Sequence, residues 1–258
     1  MMDTTKTASH FDLTGKVCLV TGGSRGLGLE MCKAFAAAGA DLVISSRKQE
    51  ACDIAAKQIS EEFGSLCLPY ACHVADWDAC DRLLDAAHKE FGQIDVLVNN
   101  AGMSPLYDSL TSVSRELWDK VIGVNLAGPF RLSAVAAERM SAAEGGSIIN
   151  ISSTAAIAPG AAEIPYAAAK AGLNNLTQSM AHSYAPKVRC NCIMPGPFLT
   201  DIADAWDENI KNAINAIVPM GRAGQPEEII GIALYLASDA ASYTNGALIK
   251  VDGGMAFG

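Results

Sequence analysis

Lys16-Val17-Cys18-Leu19-Val20-Thr21-Gly22-Gly23-Ser24-Arg25-Gly26-Leu27-Gly28 is the stretch whose reading decides the fold. A short apolar run enters a glycine-rich turn, and an amphipathic pattern from Leu29 to Ala38 follows, closed by Gly39. That order is a buried strand feeding a helix through a turn too tight for side chains. Such a turn lets a diphosphate approach backbone amides and the positive end of the helix. The spacing is G-x-x-x-G-x-G rather than G-x-G-x-x-G, so by itself the turn also suits an ordinary strand-to-helix connection.

On either side of it, short Val/Ile/Leu runs alternate with longer amphipathic segments. Strands are expected near 16–21, 41–46, 66–72, 94–99, 147–152, 188–193 and 247–251, with helices between them. Continuous apolar strands suit a sheet covered on both faces, and right-handed crossovers then build a Rossmann-like, doubly wound, parallel seven-stranded α/β sheet. No linker, charge block or repeat divides the 258 residues. The expected organisation is a flexible tail at 1–10 and a single domain at 11–258.

Composition excludes several classes. Half of the residues are hydrophobic and 18% charged, which is incompatible with disorder. The formal charge of −9 argues against a nucleic-acid or anionic-membrane partner, because a phosphate backbone would be repelled. Eight cysteines occur without a C-x-x-C pair; Cys190 and Cys192 share a strand face, but no second cluster completes a tetrahedral metal site. They read as buried, reduced thiols and no metal is expected. The polar start, MMDTTKTASH, has no apolar signal region, and no segment offers the roughly 18 apolar residues of a membrane span, so a reducing cytoplasm is the expected location.

Ligands of an open α/β sheet bind beyond the carboxyl ends of its strands, and the unusual residues lie there. After the first strand stands T-G-x-x-x-G-x-G; after the fourth, Asn99-Asn100-Ala101-Gly102. Asn125 lies in the next helical stretch and Ser153 ends the fifth strand. Tyr166-x-x-x-Lys170 opens the following helix, and Pro195-Gly196 ends the sixth strand. With six Tyr, a Y-x-x-x-K match arises by chance about 0.3 times in such a chain, so the order and spacing of the whole set carry the weight. In that order the chain, from residue 11 to Val251-Asp252-Gly253-Gly254, resembles the short-chain dehydrogenase/reductase family, in its single-domain, 3-oxoacyl-thioester reductase-like form.

Tyr and Lys four residues apart share a helical face, so an ammonium can sit beneath the phenol. A nearby cation favours phenolate, and the Tyr166 pKa is therefore expected to fall toward neutrality. The resemblance implies that Tyr166 is general acid in reduction and base in oxidation, and that Lys170 also holds the nicotinamide ribose. Ser152 and Ser153 point to opposite sides of a strand; family spacing selects Ser153 to bind the carbonyl oxygen. Asn125, polar within VIGVNLAGPF, would hold a water of a proton relay, the alternative being a packing or capping amide.

The same resemblance implies a cofactor site of Gly22, Ser24, Arg25, Gly26, Leu27, Gly28, Ser46, Arg47, His73, Val74, Asn100, Ala101, Gly102, Tyr166, Lys170, Pro195, Gly196, Phe198 and Thr200. The second strand ends Ile44-Ser45-Ser46-Arg47-Lys48 without the acid that holds a ribose 2′-hydroxyl, which points to NADP(H), with Arg25 and Arg47 toward the 2′-phosphate; a solvated helix start is the alternative. His73-Val74 replaces the usual Asp-Val of the adenine pocket; a neutral imidazole could accept from the adenine amino group.

The substrate is expected to be a small carbonyl compound or alcohol, bounded by Ser153, Ala155, Tyr166, Phe198 and Trp206. Ile202, Trp206, Ile210 and Ile214 continue an apolar stripe that is either a lid or core. Asp201, Asp204, Asp207 and Glu208 make that segment acidic and disfavour an anionic substrate. The expected function is NADP(H)-dependent interconversion of a ketone and a secondary alcohol. Alternatives are a reductase specific for 3-oxoacyl thioesters on carrier protein or CoA, with Arg131 and Arg139 as basic contacts, and a non-catalytic dinucleotide sensor. A homotetramer or homodimer is implied by the resemblance.

Overall fold

A computed structural model describes residues 10–200 and 208–256. Its seven strands are β1 (Val17–Thr21), β2 (Asp41–Ser46), β3 (Cys67–Ala71), β4 (Val96–Asn99), β5 (Gly146–Ile151), β6 (Val188–Pro195) and β7 (Leu248–Val251). They form one sheet in the order β3-β2-β1-β4-β5-β6-β7, every pairing parallel. The strand order reverses between β1 and β4. The helices are α1 (Gly26–Ala37), α2 (Gln49–Phe63), α3 (Trp77–Phe91), α4 (Arg115–Ile122), α5 (Gly128–Ala142), α6 (Ile164–Tyr184), α7 (Glu208–Ile217) and α8 (Ile230–Ala237).

Alternation along the strands feeds two cores. Cys18 and Val20 of β1, Val96 and Val98 of β4, and Ile149 and Ile151 of β5 pack with α1, α2 and α8 through Phe35, Ile59 and Leu236. Val17, Leu19, Leu97 and Ile148 face the other way, onto α3, α5 and α6 through Leu84, Leu132 and Met180. Each fully buried Leu, Ile or Val contributes about 1.5–3 kcal/mol, so both faces of the sheet are sealed by helices. This is the doubly wound architecture expected from the apolar runs.

Most strand boundaries fall within one residue of expectation, and two differ by two residues. Strand β6 runs on to Pro195 because Cys192 to Pro195 pair with Leu248 to Val251. Strand β4 begins at Val96, since the Asp95 carboxylate accepts the Val17 amide at 2.9 Å in place of a ladder bond. Of the tail expected at 1–10, only His10 is described; its carbonyl accepts from Ala240 N–H at 3.1 Å. All eight cysteines are free and all but Cys67 are buried. Burial pushes the Cys190 and Cys192 thiols up to about 12, far from reactive thiolate. Among the described residues no group of His, Cys, Asp or Glu could hold a metal ion, and no helix is long and apolar enough to cross a membrane.

Candidate active site

The point where strand order reverses opens a crevice at the carboxyl ends of β1 and β4. The glycine turn lies in it. Gly22 has φ +66°, and a β-carbon there would stand 2.7 Å from Asn100 Nδ2; one on Gly28 would collide with the Gly22 carbonyl. Only glycine allows this close approach. Asn100 Nδ2 donates to the carbonyls of Thr21 (2.9 Å) and Gly22 (3.2 Å), while the amides of Asn100 and Ala101 donate to Thr21 Oγ1 at 3.1 Å. The Asn100 side chain therefore shapes the glycine turn. Helix α1 begins beyond it with no side-chain cap from Arg25 and no acid in its first turn, leaving amides and the helix dipole for an anion. Ser24 and Leu27 are half-buried in this turn and Arg25 is exposed.

The β1–β2 register, Thr21 opposite Ser45, brings the end of β2 beside the same turn. Arg47 and Lys48 are exposed there, and Ser46 Oγ donates to the Lys48 carbonyl at 3.3 Å. His73 is exposed beyond β3, but its Nδ1 accepts from Ala75 N–H at 3.3 Å. Val74 is buried, its carbonyl facing Cys80 Sγ at 3.3 Å.

On the other side of the crevice, β5 delivers the two serines as alternation requires. Ser152 is buried and its Oγ donates to the Lys170 carbonyl at 3.1 Å. Ser153 points the opposite way, toward the Tyr166 phenol, and its Oγ also accepts from Ala155 N–H at 3.1 Å. Tyr166 and Lys170 share one face of α6, with Lys170 Nζ 5.5 Å from the Tyr166 ring centre. The ammonium is buried and donates to the Ile151 carbonyl at 2.6 Å.

Asn125 belongs to a π turn, Gly123–Ala127, between α4 and α5. The wider turn frees the Val121 carbonyl, which Asn125 Nδ2 bonds at 2.9 Å. The same amide grips the loop after β4, with Nδ2 donating to Met103 O at 2.8 Å and Oδ1 accepting from Met103 N at 3.2 Å. A side chain at Gly102 would begin 3.1 Å from Asn125 Oδ1 and 3.6 Å from Lys170 Nζ, so these three residues converge. Oδ1 retains a second lone pair.

The proton balance differs from expectation. Burial pushes the Tyr166 phenol up to about 12, the neighbouring Ser153 hydroxyl offsetting part of that shift and the Glu163 carboxylate adding to it. Burial also brings Lys170 down to about 8. The expected fall of Tyr166 toward neutrality is not what the protein alone produces, because desolvation of the phenolate outweighs the Ser153 hydrogen bond. At neutral pH the phenol is protonated.

Past β6, Thr154 Oγ1 bonds the Pro195 carbonyl at 3.4 Å and Gly196 N–H bonds Val251 O at 3.0 Å, tying this turn to β5 and β7. Thr200 stands over the glycine turn, its Cβ and Cγ2 3.5 Å from where a Gly26 β-carbon would be. The Phe198 ring is buried against Gly224. Ala155 is also buried. Trp206, Ile202 and the acids 201, 204 and 207 lie outside the described residues, and Ile214 packs with Val218 and Ala223 as a small core. Arg131 and Arg139 are engaged on α3, Arg131 bidentate with Asp81 at 2.5–2.7 Å and Arg139 with Asp85 at 2.5 Å.

A family model described as enoyl-(acyl carrier protein) reductase, a branch of the short-chain dehydrogenases, matches residues 22–256. The L-rhamnose 1-dehydrogenase (NAD(P)(+)) of Azotobacter vinelandii is 39% identical over 250 residues, spanning 94% of this chain and 97% of the relative. The chain belongs to the short-chain dehydrogenase/reductase family. Its short-chain dehydrogenase/reductase relatives include the 3-oxoacyl-(acyl-carrier-protein) reductase of Chlamydia trachomatis, 39% identical over 246 residues and spanning 95% of this chain and 98% of that one. Among solved structures, the NADPH-dependent 3-quinuclidinone reductase of Rhodotorula rubra superposes with TM-score 0.93 at 28% identity, over 99% and 96% of the two chains. A short-chain type dehydrogenase/reductase from Mycobacterium marinum gives 0.91 at 32%, over 97% and 99%. Membership makes the chain an oxidoreductase that uses a nicotinamide dinucleotide.

Sequence reasoning passed over the polar layer beneath the site. Buried Asn99 Nδ2 donates to Ser133 Oγ and to Asn150 Oδ1, both at 2.8 Å, and Asn150 Nδ2 donates to Thr177 Oγ1 at 2.9 Å. This network ties β4, β5, α5 and α6 together under the catalytic face. Its signal was present as single amides inside apolar strands, VLVN and SIINIS.

Proposed function

We propose that the chain interconverts a ketone and a secondary alcohol with NADP(H), Tyr166 serving as general acid in reduction and base in oxidation. The observation that carries this reading is the placing of the Tyr166 phenol beside Ser153 and the buried Lys170 ammonium. The glycine turn and the uncapped start of α1 suit the diphosphate, and Arg47 with Arg25 suits a ribose 2′-phosphate. When bound, the reduced dinucleotide supplies hydride. The chain's own residues manage the proton and the charge. Ser153 donates a hydrogen bond to the carbonyl oxygen, Tyr166 delivers its phenolic proton to the same oxygen, and Lys170 stabilises the phenolate left behind. Asn125, through its open lone pair beside Lys170, would hold the water that returns a proton.

A protonated phenol at neutral pH suits the reduction direction, in which Tyr166 must start with its proton. A carrier-protein substrate has less support, because Arg131 and Arg139 already pair with Asp81 and Asp85. A dinucleotide sensor would have no use for buried Lys170, which burial disfavours as a cation. Exposed Trp118 and Phe130 on α4 and α5 suit the helix pairing of a homotetramer. The test is turnover of a panel of neutral ketones, ketoses, polyols and 3-oxoacyl thioesters, followed by NADPH absorbance. Turnover of a neutral ketone or its alcohol supports the proposal; dinucleotide binding without turnover of any compound would favour the sensor.

A further inference from the structure

Helix α6 carries Tyr166 in its first turn, so the placing of the phenol depends on how that turn is anchored. The residue at its N-cap, Glu163, makes no side-chain cap; its carboxylate turns back to Gly160 N–H at 3.4 Å. The Ile164 amide, one of the orphan donors of the helix start, is bonded instead by Tyr107, 57 residues upstream, at 2.9 Å. The Tyr107 hydroxyl then donates its own proton to the Ala161 carbonyl at 3.0 Å. Among the described residues, the hydrogen bonds that join 159–164 to a distant part of the chain both end on this one hydroxyl. The preceding residues 157–162 are exposed, so packing contributes little to holding them.

Tyr107 is itself held at the base of its loop. Met103, four residues earlier, is gripped through both its N–H and its carbonyl by Asn125. A continuous tie thus runs from the π turn, through the loop after β4, to the helix turn that bears Tyr166. We propose that Tyr107 is a positioning residue for the reaction, a strap from the loop after β4 that caps the first turn of α6 and holds the Tyr166 phenol against Ser153. The inference rests on Tyr166 being the proton donor proposed above. Tyr107 touches the anchoring turn and acts through Tyr166.

The test is Tyr107→Phe, which keeps the ring and removes both bonds, read in two ways. Amide exchange of Ile164 is expected to quicken about fivefold or more, as the helix start opens locally. With a ketone that the wild type reduces, kcat is expected to fall about 5- to 30-fold, while KM and the NADPH dissociation constant stay within about threefold, since only the positioning of the acid is disturbed. Unchanged kcat, or unchanged Ile164 exchange, overturns the strap. So does a parallel loss of kcat, NADPH affinity and Tm, which would make Tyr107 a support of the fold. Failure of the wild type to reduce any carbonyl would instead remove the reading of Tyr166 on which the strap rests.

Discussion

Lys170 Nζ lies 5.5 Å from the centre of the Tyr166 ring and donates to the Ile151 carbonyl at 2.6 Å. A strand-end carbonyl thus holds the ammonium under the phenol, and burial brings its pKa down to about 8. The same burial that prepares the site lowers the stability of the fold. Between pH 8 and 10.5 the unfolded chain carries the proton that the folded one has lost, so stability climbs as pH rises through that window. Lys170→Met, which keeps the stem and removes the charge, is expected to raise the unfolding free energy at pH 7 by about 1–3 kcal/mol, the gain vanishing above about pH 10.5. Urea unfolding at both pH values measures it.

The pH dependence of reduction follows from the same group. The cation is needed to stabilise the phenolate, so kcat/KM for ketone reduction is expected to be level around neutrality and to fall with an apparent pKa near 8. Lys170→Arg, which cannot lose its proton in this range, is expected to remove that alkaline limb from whatever activity remains. Steady-state rates from pH 6 to about 10 decide it.

Selection between NADPH and NADH is expected to rest on Arg47. One charge-assisted bond to the 2′-phosphate contributes about 1.5–3 kcal/mol, so Arg47→Ala should reduce the preference about 10- to 150-fold, mainly through the KM for NADPH. Equal kcat/KM for the two dinucleotides in the wild type, unchanged in the variant, would contradict it.

Gly28→Ala is expected to remove dinucleotide binding, because its β-carbon would collide with the Gly22 carbonyl and approach Asn100 Nδ2 at 2.5 Å. The turn would have to open, releasing the bonds from Asn100 to Thr21 and Gly22. A loss of NADPH affinity of about 100-fold or more by fluorescence titration is the expected outcome, with ring-current shifts of the core retained.

The sheet was legible in the sequence because strands covered on both faces are written as unbroken apolar runs, and Val17 to Val20 and Ile148 to Ile151 need no context to be read. Strand alternation required that only one of Ser152 and Ser153 face the crevice, and the family resemblance, through the spacing to Tyr166, selected Ser153. The turns with demanding backbone geometry, at Gly22 and Gly28, were also legible locally. What escaped was set by tertiary contact. The π turn at Asn125 depends on the Met103 loop it grips, and the Phe198 ring turns into the core because Gly224 leaves space beneath it. Tyr107 carried no signal at all, since its partners lie 54 and 57 residues away. The proton balance at Tyr166 was also misjudged from spacing: a lysine four residues on announces a cation, but the extent of desolvation emerges only when the fold closes over both groups.

The most direct test is Tyr166→Phe, assayed for NADPH binding and for ketone reduction side by side. The expected result is NADPH affinity within about twofold of the wild type and kcat lower by about 100-fold or more, the contribution of a positioned general acid. A Tyr166→Phe protein that binds NADPH and reduces the ketone at the wild-type rate would contradict the proposed role of Tyr166.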